Sequence, residues 1–160
     1  MAFENLINVG RNAKVVLIGG GATARAAAGA LNSKVESFDV LLRNPQRLDA
    51  LSKAAPSVLI NSLDMTAPLD GYNLIIQTTP SGAYDLNVPK LERADGLLLE
   101  CLYKPWPTPL VARFSDLGGS VISGKELLVE QALFQIELFT QVKFDFSEMR
   151  SALLEHIASD

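Results

Sequence analysis

Short runs of apolar residues alternate with helical patterns along most of the chain. Each run is brief and almost continuously apolar, which is typical of strands buried on both faces of a parallel sheet. Six such runs stand out: Val15–Ile18, Phe38–Leu42, Val58–Ile60, Leu74–Gln77, Leu97–Leu102 and Ser120–Ile122. Because helical segments separate them, we expect parallel pairing through right-handed crossovers. The pattern predicts an α/β fold, a doubly wound six-stranded parallel sheet with the order 3-2-1-4-5-6.

The segments between the runs carry helix signals. Ala22–Leu31 is rich in alanine, the residue with the highest helix propensity. Asn44 before Pro45, and likewise Thr108 before Pro109, matches an N-cap followed by proline at the first helical position. These signals predict one helix after each of the first, second and fifth strands.

The last part of the chain, residues 125–160, predicts two consecutive C-terminal helices. Lys125–Thr140 is apolar around most of its circumference, so we expect it to be buried on several sides. Its polar positions form a narrow seam, chiefly Glu126, Glu130 and Glu137. One arrangement that would cover this helix is a two-fold homodimer. The other is a fold-back of the final helix, Ser147–Ser159, through Met149, Leu153 and Leu154.

Length and charge narrow the class of protein. A chain of 160 residues predicts one domain, residues 1–160. The formal net charge of −4 argues against nucleic acid or an anionic membrane as a partner, because phosphate binding needs a basic face. No apolar stretch is long enough to span a bilayer, and the N-terminus lacks the pattern of a secretion signal. We therefore expect a soluble cytoplasmic protein.

The content of cysteine and histidine limits the chemistry. Cys101 is the only cysteine, which excludes an internal disulfide and a cysteine-based metal site. His156 is the only histidine, which excludes a multi-histidine metal site. No general base adjoins Cys101 in the sequence, so we interpret it as a small buried hydrophobe. With no carboxylate pair and no nucleophile triad, we assign neither catalytic residues nor metal ligands.

A glycine-rich loop follows the first predicted strand. Gly19, Gly21 and Ala24 fit the pattern G-x-G-x-x-A, directly between a strand and a helix. The first glycine allows a tight turn, and the second lets a pyrophosphate approach the backbone. The small third residue allows close helix–sheet packing, while the helix N-terminus attracts the phosphates. The loop indicates a Rossmann-type dinucleotide site; the alternative is a tight turn without a ligand.

Two arginines follow the second predicted strand. NAD-specific sites place an Asp or Glu about 20 residues beyond the glycine loop to bind the ribose 2′-hydroxyl. Here Arg43 and Arg47 stand in that region, and the nearest acid, Asp39, lies inside the strand. Because arginine matches the geometry of a phosphate, the segment indicates a 2′-phosphate site and hence NADP. The alternative is a pair of ordinary surface arginines.

Two further segments follow the fourth and fifth strands. Thr78 and Thr79 could donate hydrogen bonds to a ribose or nicotinamide, because ligands of doubly wound sheets bind beyond the strand carboxyl ends. The alternative is a plain Pro-Ser-Gly turn. The proline-rich loop after the fifth strand should be stiff, so Tyr103 and Lys104 could contact a substrate. Alternatively, Tyr103 and Trp106 cap the core.

These segments, in order, resemble the shikimate dehydrogenase family. GGGATARA resembles the family's glycine loop, LRNPQR its Asn-Arg-Thr-x-x-Arg segment, and IIQTTPSG its Ile-Asn-Ala-Thr-Pro-x-Gly segment. ECLYKPWPTPL and GKELLVEQALFQIELFT resemble its D-x-x-Y-x-P-x-x-T-P-L and G-x-x-M-L-V-x-Q-A blocks. The last two blocks together are quite specific. The resemblance runs from about residue 12 to the C-terminus.

The resemblance implies roles for individual residues. It implies that NADP is the cofactor and that its pyrophosphate is wrapped by Gly19, Gly20, Gly21, Ala22 and Thr23. It implies that the 2′-phosphate is bound by Arg43, Asn44 and Arg47. The ribose and nicotinamide would be lined by Thr78, Thr79, Pro80, Cys101 and Gly124. Bound shikimate would contact Tyr103 and Gln131.

The resemblance covers the cofactor domain of the family and not its N-terminal substrate domain, which carries a catalytic Lys–Asp pair. Residues 1–11 resemble the helix that joins the two domains. The implied function is the NADP-binding part of an oxidoreductase that transfers hydride between NADPH and 3-dehydroshikimate to give shikimate. We expect the chain alone to be inactive. The alternative is a non-catalytic module that docks on a separate substrate-binding chain, and quinate or an amino analogue is a lesser alternative as substrate.

Overall fold

The computed structural model describes residues 2–158, and its centre is a sheet of six parallel strands. The strands are β1 Val15–Ile18, β2 Ser37–Leu41, β3 Leu59–Leu63, β4 Leu74–Gln77, β5 Leu97–Glu100 and β6 Ser120–Ile122. Their order is β3-β2-β1-β4-β5-β6, and every neighbouring pair is parallel. The predicted fold class and strand order are therefore confirmed.

Helices pack on both faces of this sheet. They are α1 Ala2–Leu6, α2 Ala22–Leu31, α3 Leu48–Ala54, α4 Pro109–Asp116, α5 Gly124–Thr140 and α6 Phe146–Ala158. Thr108 caps α4 as expected, since its Oγ1 accepts a hydrogen bond from the backbone N–H of Val111 at 3.2 Å. Helix α5 begins at Gly124, one residue before the predicted start, because Ser123 and Glu126 form a capping box.

The core has one layer on each side of the sheet. Leu17 of β1 faces the alanine-rich α2 together with Phe38, and α1 packs against α2 and α5 on this side. Val16 of β1 points the opposite way, towards a cluster that includes Phe114 of α4. Alternating residues of one strand thus serve the two layers, as the pleat of a strand requires.

Two strands depart from the predicted burial or length. The run Val58–Ile60 predicts a strand buried on both faces, yet Leu59 of β3, at the edge that the predicted strand order gave it, is 66% exposed. Strand β5 also ends at Glu100 rather than Leu102, because the chain leaves the sheet into the proline-rich loop. Continuous burial holds only for the central strands β1 and β4.

The segment after β2 is tighter than the helix expected there. Asn44 does act as a cap: its Oδ1 accepts a hydrogen bond from the N–H of Gln46 at 3.0 Å. The element it caps is a 3-10 turn, Pro45–Arg47, and the α-helix starts only at Leu48. This turn keeps Arg47 close to the strand end.

The C-terminal helices pack on each other, as in the predicted fold-back, but Met149, one of the residues expected to cover α5, is 38% exposed. Phe146 at the start of α6 contacts Phe134 edge-to-face at 5.2 Å between ring centroids. Glu130, expected in a polar seam, is instead fully buried and is bound by Arg150 of α6. The expected burial on several sides is wrong for the end of α5, where Leu138 and Phe139 are 66% and 80% exposed.

Within residues 2–158, no helix is both long and apolar enough to cross a bilayer. The same residues contain no group of three or more His, Cys, Asp or Glu side chains placed to hold a metal ion. The cytoplasmic location stays a prediction.

Candidate functional site

A cleft of about 580 Å³ lies at the edge of the sheet where β1, β2 and β4 end. We call it the glycine-loop cleft. It is lined by Gly19, Gly20, Gly21, Ala22, Thr23, Leu42, Arg43, Asn44, Arg47, Met65, Thr78, Thr79, Pro80 and Ala83. The strand order reverses between β1 and β4, and doubly wound sheets bind ligands at this switch point. Eleven of the 13 predicted cofactor-binding residues surround this one cleft.

Gly19 is required by the backbone and by a close neighbour. Its φ is +112°, a conformation that side chains disfavour. A Cβ at this position would also lie 2.6 Å from Oγ1 of Thr78. The turn that leaves β1 therefore needs glycine whether or not a ligand binds.

Gly21 is different, because it faces open space. A Cβ there would meet no atom within 4 Å. Gly21 precedes α2, and no side chain caps this helix or adds an acidic group to its first turn. The first helical hydrogen bond runs from the N–H of Arg25 to the carbonyl of Gly21. The amides at the start of α2 are therefore available to an anion in the cleft.

Arg43 and Arg47 also line the cleft. Both are exposed, and neither side chain has an ion-paired or hydrogen-bonded partner among the side chains that the structure describes. Asp39 does not compete for them: it lines a different cleft and accepts hydrogen bonds from the hydroxyl of Tyr72 at 2.6 Å and the amide of Asn61 at 3.0 Å. The cleft therefore offers two cations and no carboxylate.

The two threonines after β4 line the cleft, and their hydroxyls are bonded within the protein. Thr78 donates its hydroxyl hydrogen to the carbonyl of Ile18 at 2.7 Å. Thr79 donates both its hydroxyl, at 3.0 Å, and its N–H, at 2.9 Å, to Oε1 of Gln77. In this arrangement the hydroxyls hold the loop after β4 against β1 and have acceptor capacity left over. Their hydrogen bonds to a ribose or nicotinamide stay a prediction.

Three apolar residues of the cleft were missed by sequence reasoning: Leu42, Met65 and Ala83. Met65 lies two residues beyond β3, so it shares the carboxyl edge with the glycine loop. The rule that parallel strands end at one edge could have indicated it. A flexible thioether suits contact with a flat ring.

Cys101 and Gly124 lie outside this cleft and against each other. A Cβ on Gly124 would be 2.5 Å from the carbonyl oxygen of Cys101, so α5 starts close to the segment that leaves β5. Burial, with the neighbouring Glu100 carboxylate, raises the pKa of the Cys101 thiol to about 12. This agrees with a structural rather than a nucleophilic cysteine.

Glu100 is a fully buried carboxylate at the end of β5. It accepts hydrogen bonds from the N–H of Leu102 at 3.1 Å and the hydroxyl of Thr108 at 2.9 Å. Burial raises its pKa to about 7, although these hydrogen bonds act in the opposite direction. Glu100 therefore anchors both ends of the proline-rich loop. Tyr103 in this loop and Gln131 on α5 are both exposed and lie outside the glycine-loop cleft.

The chain is similar to known proteins over most of its length. A shikimate dehydrogenase (NADP(+)) of Maridesulfovibrio salexigens is 32% identical over 152 residues, which cover 90% of this chain and 55% of that protein. The crystal structure of the Mycobacterium tuberculosis shikimate dehydrogenase matches with 29% identity and a TM-score of 0.83, covering 96% and 59% of the two chains. No protein-family model matches.

Over most of its length the chain is thus similar to shikimate dehydrogenases in sequence and in fold. It spans just over half the length of the shikimate dehydrogenases it matches. Another shikimate dehydrogenase, solved in complex with NADP+, shares the fold with 23% identity and a TM-score of 0.74 over 98% of this chain and 59% of that one. Nearly the whole length of this chain thus matches the fold of shikimate dehydrogenase structures.

Proposed function

We propose that this chain binds NADP(H) in the glycine-loop cleft. One observation carries the proposal. The same cleft is lined by Arg43 and Arg47, whose side chains have no partner among the described side chains, and by the start of α2, which no side chain caps. The helix amides suit a pyrophosphate, and guanidinium groups suit a 2′-phosphate. The relative from Maridesulfovibrio salexigens, which is 32% identical, is a shikimate dehydrogenase (NADP(+)), and this supports the same cofactor.

Calorimetric titration with NADPH and NADH tests this proposal. We expect NADPH to bind and NADH to bind roughly 10- to 150-fold more weakly, because charge-assisted hydrogen bonds contribute about 1.5–3 kcal/mol. Raising the salt concentration should reduce the difference, since the arginines are exposed. Equal affinity for the two cofactors would refute the 2′-phosphate site.

The whole-protein activity that we propose is hydride transfer between NADPH and 3-dehydroshikimate, to give shikimate. Among the described residues that line the cleft, the only ionisable side chains are Arg43 and Arg47, and arginine does not exchange protons near neutral pH. General acid–base help, usually worth about 10²–10⁴-fold, has no source there. We therefore expect residues 1–160, as one dinucleotide-binding domain, to hold the hydride donor without turning over substrate.

Spectrophotometry of NADPH with 3-dehydroshikimate checks the inactivity of the isolated chain. We expect no turnover by the chain alone. NADPH oxidation should return when a separately produced substrate-binding part of a shikimate dehydrogenase is added, and Tyr103 and Gln131 would then contact the substrate. Quinate or an amino analogue in the same assay distinguishes the substrates. Steady turnover by the pure chain would show that a proton-transfer residue lies within it.

We also propose that the chain self-associates through the end of α5. Leu138, Phe139 and Val142 stay strongly exposed there although α6 packs on the earlier part of the helix. Contiguous apolar surface of this kind is usually an interface, and a two-fold dimer is its commonest form. Sedimentation velocity at several concentrations should show a dimer that Phe139→Glu converts to a monomer. A monomer at high concentration would refute the dimer.

A further inference from the structure

The middle glycine of the loop, Gly20, is crowded by the segment that carries Arg47. A Cβ at Gly20 would lie 2.7 Å from Cβ of Arg47 and 2.9 Å from Cδ2 of Leu42. Cγ of Arg47 would be 3.2 Å away. The absence of a side chain at Gly20 therefore creates the space that the stem of Arg47 occupies.

Neither neighbour can give way freely. Leu42 is 5% exposed and belongs to the core cluster under α2. Arg47 ends the 3-10 turn, where its N–H donates to the carbonyl of Asn44 at 3.1 Å before α3 begins. The contact is with its Cβ, which is attached to this backbone, and not with the flexible end of the side chain. A methyl group on Gly20 must therefore move the turn or repack Leu42.

We infer that Gly20 is a positioning residue for Arg47 and thereby sets the preference for 2′-phosphorylated dinucleotides. The inference rests on the proposed binding of NADP(H). The guanidinium lies at the far end of the side chain whose stem Gly20 contacts, so a small shift of the stem displaces the group that would bind the phosphate. The pyrophosphate would instead meet Gly21 and the start of α2, which Gly20 does not crowd.

Titrations of Gly20→Ala with NADPH and NADH test the inference. We expect NADPH affinity to fall about tenfold, the loss of one charge-assisted contact, while NADH affinity changes less than about twofold. In the Arg47→Ala background the same substitution should cost no further NADPH affinity, because the two changes act on one contact. Gly10→Ala is the matched control, since a Cβ at Gly10 meets nothing within 4 Å.

Removal of the contacted stem separates positioning from general damage. Gly20→Ala in the Arg47→Gly background no longer meets Cβ or Cγ of Arg47, so the double variant should bind NADPH as Arg47→Gly alone does, to within about threefold. If Gly20→Ala alone is too unstable for titration, this pair provides the comparison.

Three outcomes overturn the inference: unchanged NADPH binding by folded Gly20→Ala, an equal loss for both cofactors, or a folded double variant that binds NADPH more weakly than Arg47→Gly. A failure of the unmodified chain to bind either cofactor would instead refute the proposed function.

Discussion

The carboxyl edge of the sheet has two unlike halves. Around β1, β2 and β4, backbone amides and two unpartnered arginines face one cleft. Around β5 and α5, the polar groups are used internally: Glu100 binds Leu102 and Thr108, and Gly124 packs on Cys101. The first half presents binding groups to a ligand, whereas the second is a scaffold with exposed Tyr103 and Gln131 at its surface. Groups that can bind a ligand and groups that hold the fold together thus lie in different halves of this edge.

The largest effect on cofactor binding should come from a side chain that fills part of the glycine-loop cleft. We predict that Gly21→Val abolishes NADPH binding without unfolding the chain, because the new side chain enters open cleft space where a pyrophosphate would lie. Circular dichroism checks the fold and calorimetry the binding. Gly10→Val is the matched control, since Gly10 is also unobstructed but lies outside the cleft. Normal NADPH binding by folded Gly21→Val would show that the loop is only a turn.

The next largest effect should come from removing a cation from the glycine-loop cleft. Arg43→Ala should remove much of the roughly 10- to 150-fold preference for NADPH, because it takes away one guanidinium while leaving the helix amides in place. NADH affinity should stay nearly constant. Arg11→Ala is the control, since Arg11 lies at a different cleft and pairs with Glu36. Equal losses for both cofactors would place Arg43 on the shared part of the dinucleotide.

In the second half, Glu100 should act on stability rather than on binding. Its pKa is raised from 4.5 to about 7, so the folded state keeps a proton that the unfolded state releases. The free energy of unfolding should therefore fall as the pH rises from about 4.5 to about 7, by at most about 3 kcal/mol. Glu100→Gln, which resembles the protonated group, should lack this fall.

Urea denaturation of both proteins across that pH range measures the difference. Glu92→Gln serves as the control, because Glu92 is exposed. We expect Glu100→Gln to match the unmodified chain at the acidic end and to exceed its stability above about pH 7. Parallel stability curves would mean that Glu100 is ionised in the folded protein throughout the range.

The smallest effect should come from the contact between the C-terminal helices. Arg150→Ala removes a partner of the buried Glu130, and we expect the free energy of unfolding to fall by about 1–2 kcal/mol. Breaking a fully buried ion pair costs about 3–5 kcal/mol, and the loss should be smaller here because Arg150 is partly exposed. NADPH affinity should not change, since neither residue lines the cleft. Arg25→Ala, on the alanine-rich helix α2, is the control. Arg113→Ala is unsuitable because the Arg113 side chain donates hydrogen bonds to the carbonyl of Leu91.

Most of the fold could be read from the sequence because the signals are local. The runs that became β1 and β4 are four residues long and fully buried, and their bounds agree with the predicted ones. The prediction of burial failed at β3, where Leu59 of the apolar run is exposed. Exposure depends on how far other segments cover the face of the strand, and apolar composition does not contain that information.

The candidate site shows the same division. Chain order placed Gly19, Gly21 and Arg43 beyond consecutive strand ends, and parallel strands end at one edge, so their grouping followed from the sequence. The internal hydrogen bonds of Thr78 and Thr79 did not follow. Their hydroxyls donate to acceptors of the protein itself, and one of these, the carbonyl of Ile18, is 60 residues away along the chain.

The sequence by itself determined the alternation of strands and helices, the glycine loop and the placement of two arginines beyond β2. Only the tertiary structure decided that Glu130 is buried against Arg150, that Met65 reaches the cleft and that Gly20 makes room for Arg47. The physical reason is the range of the interactions. Secondary structure and caps depend on residues a few positions apart, whereas burial and side-chain partners depend on which distant segments the folded sheet brings together.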